Sequence, residues 1–229
     1  MRVSRVLVTG ASGFLGKHVV SLLVERGYRV ETLGRGESTH PALTHHKIDL
    51  AREVPTDAVS KADAVVHLAS DVSIARSIEN PSAHITNNLA MTFNVLGACR
   101  TASTKPLVVY LSSDRVYGKA HGRVTEQSPI FPIEPYTASK IMGETALAAY
   151  ANQFDIPYIA LRASAFFGEH QPRRSFISDV IQKMIDKDDV TVGPLKSVKN
   201  FTYVGNVASA VLLSLNAPRS AQNRAYNIG

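Results

Sequence analysis

The sequence predicts an α/β fold, a doubly wound parallel sheet, and three observations predict it. Apolar, β-rich runs alternate with longer segments of helical period, the pattern of strands joined by crossover helices. The runs Arg5-Val-Leu-Val-Thr9 and Leu107-Val-Val-Tyr-Leu111 are nearly continuous in Val and Leu, which suits strands covered on both faces. The first run passes directly into a glycine-rich turn and then an amphipathic helix, as the opening unit of such a sheet does.

Taken in order, strands are expected at 6–9, 28–33, 47–48, 64–69, 107–112, 158–162 and 226–228. The first helix is marked by Leu15, Val19, Leu22 and Leu23, which recur at i, i+4, i+7 and i+8, and Gly27 is placed to close it. Further helices are expected at about 81–102, 136–154, 175–187 and 207–215. Residues 115–135 hold Gly118, Gly122, Pro129, Pro132 and Pro135, and read as a long loop beside the sheet edge where ligands bind. No internal repeat or low-complexity tract interrupts the pattern. The expected organisation is 1–165 for a dinucleotide-binding domain, 166–200 for a small, abbreviated substrate-binding region, and 201–229 for a helix and strand that return to the first domain.

Composition narrows the function classes. At 229 residues, 45% hydrophobic and 19% charged, the chain has the ordinary globular balance, which excludes a disordered, collagen-like or coiled-coil protein. One cysteine, Cys99, excludes an internal disulfide framework and a cysteine-based zinc cluster, and no metal is expected. No run reaches the roughly 18 apolar residues of a membrane span, and no secretory leader opens the chain, so a cytoplasmic protein without a membrane partner is expected. The net charge of +6 raises a nucleic-acid reading. The basic residues are scattered, with short clusters at Arg173-Arg174 and at 196–199, and no helix carries a continuous basic stripe, so nucleic acid is not an expected partner.

Thr9-Gly10-Ala11-Ser12-Gly13-Phe14-Leu15-Gly16 joins the first strand to the first helix. Glycines in such a turn let the backbone approach a pyrophosphate, while the helix amides face the anion. The spacing is Gly-x-x-Gly-x-x-Gly, and a flexible loop is the plain alternative; strand before and amphipathic helix after favour a dinucleotide site. At the end of the second strand an acidic residue would hold ribose hydroxyls. Here the tip is Thr32-Leu33-Gly34-Arg35, and the planar fork of Arg35 suits a 2′-phosphate. NADP is therefore the expected cofactor and NAD the alternative, since Glu31 and Glu37 stand close by and a loop arginine can simply be solvated.

Pro135-Tyr136-Thr137-Ala138-Ser139-Lys140 opens a helix, with Tyr136 and Lys140 one turn apart on one face. A phenol of pKa about 10 is a poor proton relay at neutral pH. An ammonium about 4 Å away at an effective dielectric of about 20 contributes roughly 4 kcal/mol, enough to lower that value by about three units. Upstream, Ser113 follows the fifth strand at its ligand-binding end and is placed to share a substrate oxygen with Tyr136. Taken alone, Tyr-x-x-x-Lys is a surface pair on many helices; in register with the glycine loop and the serine strand it reads as a catalytic set.

With these motifs in place the chain resembles the extended short-chain dehydrogenase/reductases, in the NAD-dependent epimerase/dehydratase family, from Val6 to Gly229. The resemblance implies the Rossmann form of the doubly wound sheet. It implies cofactor contacts from Gly10, Ser12, Gly13, Phe14, Leu15 and Gly16, from Asp49 and Leu50, from Leu68, Ala69 and Ser70 after His67, and from Asn88. Ser113, Tyr136 and Lys140 match the catalytic trio, with Lys140 also holding the nicotinamide ribose. Phe201-Thr202-Tyr203-Val204 and Tyr226-Asn227-Ile228-Gly229 match late landmarks.

Departures from the family pattern bear on the substrate. Asp114 is followed by Arg115 rather than a second carboxylate, which disfavours dehydration. Ala165 stands where many sugar-nucleotide members have asparagine, and Lys199-Asn200 replaces a frequent Arg-Asp. Asp114, Arg115, Ala165 and Lys199 are the candidate substrate residues. Relatives usually continue past Gly229, so an abbreviated substrate region is expected. The function implied is NADP- or NAD-dependent oxidoreduction of a nucleotide-linked sugar, by a C4 epimerase or a ketoreductase. A reductase of small non-nucleotide carbonyls and a non-catalytic dinucleotide sensor or scaffold are the alternatives. The resemblance also implies a homodimer, with Leu89, Phe93 and Leu96 forming either an interface stripe or internal core.

Overall fold

A computed structural model describes residues 3–37, 40–120, 122–172, 176–187, 189–191 and 199–229. In chain order the elements are β1 (Arg5–Thr9), α1 (Phe14–Glu25), β2 (Arg29–Gly34), β3 (His45–Lys47), α2 (Thr56–Ser60), β4 (Ala64–His67), α3 (Ile74–Glu79), α4 (Pro81–Thr101), β5 (Leu107–Ser113), α5 (Pro135–Phe154), β6 (Tyr158–Ala163), β7 (Ala165–Phe167), α6 (Phe176–Asp186), β8 (Phe201–Tyr203), α7 (Val204–Leu215) and β9 (Arg224–Ile228). Seven strands form one parallel sheet in the order β3-β2-β1-β4-β5-β6-β9, the doubly wound arrangement expected. The order reverses between β1 and β4, the topological switch point at which such sheets bind ligands.

Each expected strand and helix has its counterpart, and the local reasons are visible. β4 and β5 are buried along their whole length, as a central parallel strand with helices on both faces must be. α1 lays Leu15, Val19 and Leu23 on the core, and Gly27 at φ +79° closes it, with the Tyr28 amide reaching back to the Leu23 carbonyl. Pro81 and Pro135 stand in the first turns of α4 and α5, where no amide donor is needed. Two apolar clusters fill the two faces, one beneath α1 and α7, the other beneath α4 and α5 around Leu96, Cys99 and Leu147.

Four features go beyond the expectation. α2 and α3 are too short to display a helical period. β7 and β8 pair in a separate two-stranded parallel sheet, Ala165 against Phe201 to Phe167 against Tyr203. The expected helix at 175–187 runs over Phe176–Asp186, while Ser175, the Arg173-Arg174 cluster and residues 196–198 lie outside the described residues. The expected loop at 115–135 begins as a 3-10 turn at Asp114–Tyr117 and ends where Pro135 starts α5. Among the described residues no helix is long and apolar enough to cross a membrane.

Candidate active site

The turn after β1 is built by close contact. Gly10 sits at φ +69°, and a Cβ there would lie 2.8 Å from the Ala69 amide nitrogen. A Cβ on Gly16 would lie 2.2 Å from the Gly10 carbonyl oxygen, so the helix packs onto its own turn only as glycine. Gly13 meets only the Gly10 carbonyl, at 3.1 Å, and faces a cavity of about 840 Å³.

Most of the expected cofactor contacts meet at this cavity. Gly10 and residues 12–16 line it from the loop, Arg35 from the β2 tip, Asp49 and Leu50 from the turn after β3, and residues 68–70 from the end of β4. Asp49 also caps its own turn by accepting from the Ala51 amide at 3.1 Å. Sequence reasoning missed the far wall: Asp71, Val72 and Arg76 near α3, Asn87 and Met91 on α4, and Phe166, Gln171 and Pro172 after β6. Phe166 stacks on Phe14 with centroids 5.7 Å apart, a contact spanning most of the chain that local pattern does not announce.

Two expected cofactor residues do not line the cavity. Asn88 is buried, its carbonyl oxygen taking the Asp71 amide at 2.8 Å and its NH₂ group donating to the Asp71 carbonyl and the Ser139 hydroxyl. It braces the β4 loop against α5. Lys140 is the second; its Nζ donates 2.8 Å to the carbonyl of Leu111, which does line the cavity. His67 is a satisfied core histidine, with Nδ1 2.9 Å from the Thr9 hydroxyl, and burial pushes its pKa down to about 3.

Ser113 ends β5, and Tyr136 and Lys140 occupy the first turns of α5; all three are buried. The Ser113 hydroxyl, which accepts from the Arg115 amide at 3.2 Å, stands beside the Tyr136 phenol and lowers its pKa. The electrostatics correct the simple pair picture. Lys140 Nζ lies 5.9 Å from the centre of the Tyr136 ring and 4.9 Å from that of Tyr110. Burial pushes the Tyr136 phenol up to about 12, opposed by the Ser113 hydroxyl and by the Arg115 guanidinium; the cation that lowers it is Arg115, not the expected Lys140. Burial also pushes Lys140 down to about 8, with Glu144, one turn further along α5, opposing.

The candidate substrate residues divide. Asp114 and Arg115 form the 3-10 turn beside Tyr136, where burial raises the Asp114 carboxyl and Arg115 Nε pairs with Glu134 at 2.8 Å. Ala165 opens β7, exposed, and Lys199 is exposed ahead of β8; neither lines the cavity. Behind the trio, Glu144 takes Arg162 Nη2 at 2.6 Å and the Ser112 hydroxyl, while Arg162 Nη1 donates to Tyr117 Oη at 2.7 Å. Among the described residues no cluster of His, Cys, Asp or Glu is arranged to hold a metal.

The model of the NAD dependent epimerase/dehydratase family matches residues 6–229. The chain is similar to a UDP-glucose 4-epimerase of Streptococcus mutans serotype c, with 28% identity over 98% of the chain and 76% of the relative. Among solved structures it resembles a UDP-N-acetylglucosamine 4-epimerase from Methanobrevibacter ruminantium in complex with UDP-N-acetylmuramic acid. There the identity is 27% and the TM-score 0.90, covering 100% of the chain and 77% of that structure. It also resembles the Thermus thermophilus UDP-glucose 4-epimerase in complex with NAD, at 28% identity and TM-score 0.85, covering 98% and 77%.

Proposed function

Because the chain belongs to the NAD dependent epimerase/dehydratase family, we propose that it inverts C4 of a nucleotide-linked sugar, using a nicotinamide dinucleotide bound in the 840 Å³ cavity. The observation that carries this reading is the buried meeting of Ser113, at the end of β5, with Tyr136 and Lys140 in the first turns of α5. The names of the relatives above, 4-epimerases of UDP-sugars, support the same substrate class.

The residues present fit a dinucleotide. The loop at 10–16 approaches the cavity with backbone alone at Gly10 and Gly13, and the start of α1 presents its amides there, the arrangement a pyrophosphate requires. A bound dinucleotide supplies a reversible hydride acceptor. Tyr136 exchanges the proton of the C4 hydroxyl, and Ser113 holds the same oxygen. The Arg115 guanidinium lowers the pKa of the phenol, and Lys140, its ammonium fixed by the Leu111 carbonyl, adds a second cation one turn along α5. Arg115 is held by Glu134 and no second carboxylate follows Asp114, so the site lacks the base that dehydration needs.

Within that reading NADP remains the preferred dinucleotide. Arg35 lines the cavity, while the two nearby carboxylates are engaged elsewhere, Glu31 with His46 at 2.6 Å and Glu37 with Lys47 at 2.5 Å. Against it stands the NAD bound to the Thermus relative. Arg35→Ser should weaken NADP⁺ binding about tenfold or more, the worth of one charge-assisted phosphate contact, and leave NAD⁺ nearly unchanged. Equal losses measured by calorimetry would refute the assignment. A homodimer is part of the same proposal: Phe93 of α4 and Met142 of α5 are each 45% exposed, whereas Leu96 lies in the core.

The deciding experiment supplies UDP-glucose or UDP-galactose with either dinucleotide and follows C4 configuration by NMR. Interconversion without net cofactor consumption is expected. Stoichiometric loss of NADPH with a carbonyl substrate instead would make the enzyme a reductase. Binding without turnover would make it a sensor.

A further inference from the structure

Among the described residues, the buried side-chain nitrogens and oxygens without a hydrogen-bond partner are both on one residue, His84. Its side chain is 2% exposed. Burying two unsatisfied ring nitrogens is costly, so such a residue is to be explained by a second state that uses them. His84 stands where two parts of the site meet. Its ring packs edge-on against Tyr136, centroids 6.3 Å apart at 73°. Its Nε2 lies 3.7 Å from Asp71 Oδ1, too far for a hydrogen bond.

Asp71 Oδ1, the oxygen nearer His84, cannot accept from it as it stands, because it already takes two hydrogen bonds. Oδ1 takes the Ser73 amide at 2.9 Å and Arg76 Nη2 at 2.8 Å, and Oδ2 takes Arg76 Nε at 3.0 Å. Arg76 is nevertheless the loosest member of the set: its side chain is 67% exposed, and it lines the cavity together with Asp71. A diphosphate group in the cavity competes directly for that guanidinium, with the bidentate geometry that arginine favours. The Asp71 backbone does not follow, since Asn88 clamps both its amide and its carbonyl.

We propose that His84 is a positioning residue for Tyr136, set by an exchange at Asp71: an anionic diphosphate in the cavity draws Arg76 away, and His84 Nε2 takes its place as hydrogen-bond donor to Oδ1. The exchange rests on the dinucleotide reading above and extends it, by making the packing of the Tyr136 ring respond to occupancy of the cavity.

The test reads the imidazole ¹⁵N signals of the whole protein, with His84 assigned by their loss in His84→Gln. Adding NAD⁺ or NADP⁺ should shift the His84 signals, and Arg76→Gln, an exposed substitution, should produce a shift in the same sense without any dinucleotide. His84→Phe keeps the edge-on ring and loses the nitrogens; kcat should fall about tenfold, the scale of a small misplacement, with dinucleotide affinity unchanged. Unmoved His84 signals in both experiments, while calorimetry shows the dinucleotide bound, overturn the exchange and leave the cofactor site standing. An unchanged kcat in His84→Phe overturns the positioning role. Failure of both dinucleotides to bind overturns the exchange and the cofactor reading together.

Discussion

A lysine ammonium buried with a carbonyl as its hydrogen-bond partner loses much of its solvation, and Lys140 carries that loss. Burial brings its pKa from the ordinary 10.5 down to about 8, opposed by Glu144. Below about pH 8 the group is charged in folded and unfolded chains alike, and the folded state bears the whole penalty. Between about 8 and 10.5 the unfolded chain binds the extra proton, so this contribution makes stability rise with pH until the penalty is gone. A displacement of that size corresponds to about 3 kcal/mol, partly offset by the hydrogen bond to Leu111, worth about 1 kcal/mol. Lys140→Met should therefore stabilise the fold by roughly 1–3 kcal/mol at pH 7 and by progressively less toward pH 10, measured by urea unfolding. Its turnover should be largely lost. Tyr136→Phe separates chemistry from binding: the ring stays packed, the proton path goes, and kcat should drop about 10²- to 10⁴-fold with unaltered dinucleotide affinity. Turnover near the parent value would refute the role given to the phenol.

At the scale of elements, the β1–α1 turn shows how tightly two pieces of backbone are fitted. Gly16→Ala would push a methyl group onto the Gly10 carbonyl and Ala11, all of it backbone that cannot swing aside. The expected cost is about 1–3 kcal/mol or more in thermal unfolding, together with weakened dinucleotide binding. Wild-type stability would show that the helix can shift without harm. This turn, the central strands and the long helices were legible in the sequence because their causes are local: continuous Val and Leu for doubly covered strands, period 3.6 for helices, glycine at a positive φ. β7 and β8 were not legible, since three-residue strands have no period to read and their pairing joins segments far apart in the chain. The far wall of the cavity escaped for the same reason, Asp71 and Arg76 being set against the loop only by tertiary packing. The acidity of Tyr136 was misjudged because spacing reports the neighbouring charge but not the depth of burial, and burial dominates.

Across the whole molecule, one ion pair ties α5 to β6 of the sheet. Arg162 of β6 and Glu144 of α5 are 6% and 11% exposed. Arg162 passes the link to Tyr117, whose hydroxyl donates to Asn227 of β9, while the Asn227 amide donates to Glu126. Four segments distant in sequence thus meet behind Lys140. Such a pair contributes little beyond what a well-packed apolar core would, yet removing one partner strands a buried charge. Glu144→Gln leaves the Arg162 guanidinium uncompensated and should cost about 3 kcal/mol in urea unfolding. Replacing both partners by Leu and Met should recover much of that loss, and a double variant as unstable as the single one would refute the stranded-charge account. The same substitution also removes the charge that opposes the depression of the Lys140 pKa, so Lys140 should lose its proton at still lower pH. Turnover at neutral pH should then fall in Glu144→Gln and recover as the pH is lowered. A pH profile with the parent's alkaline limb would mean that the ion pair holds the fold together without tuning the lysine.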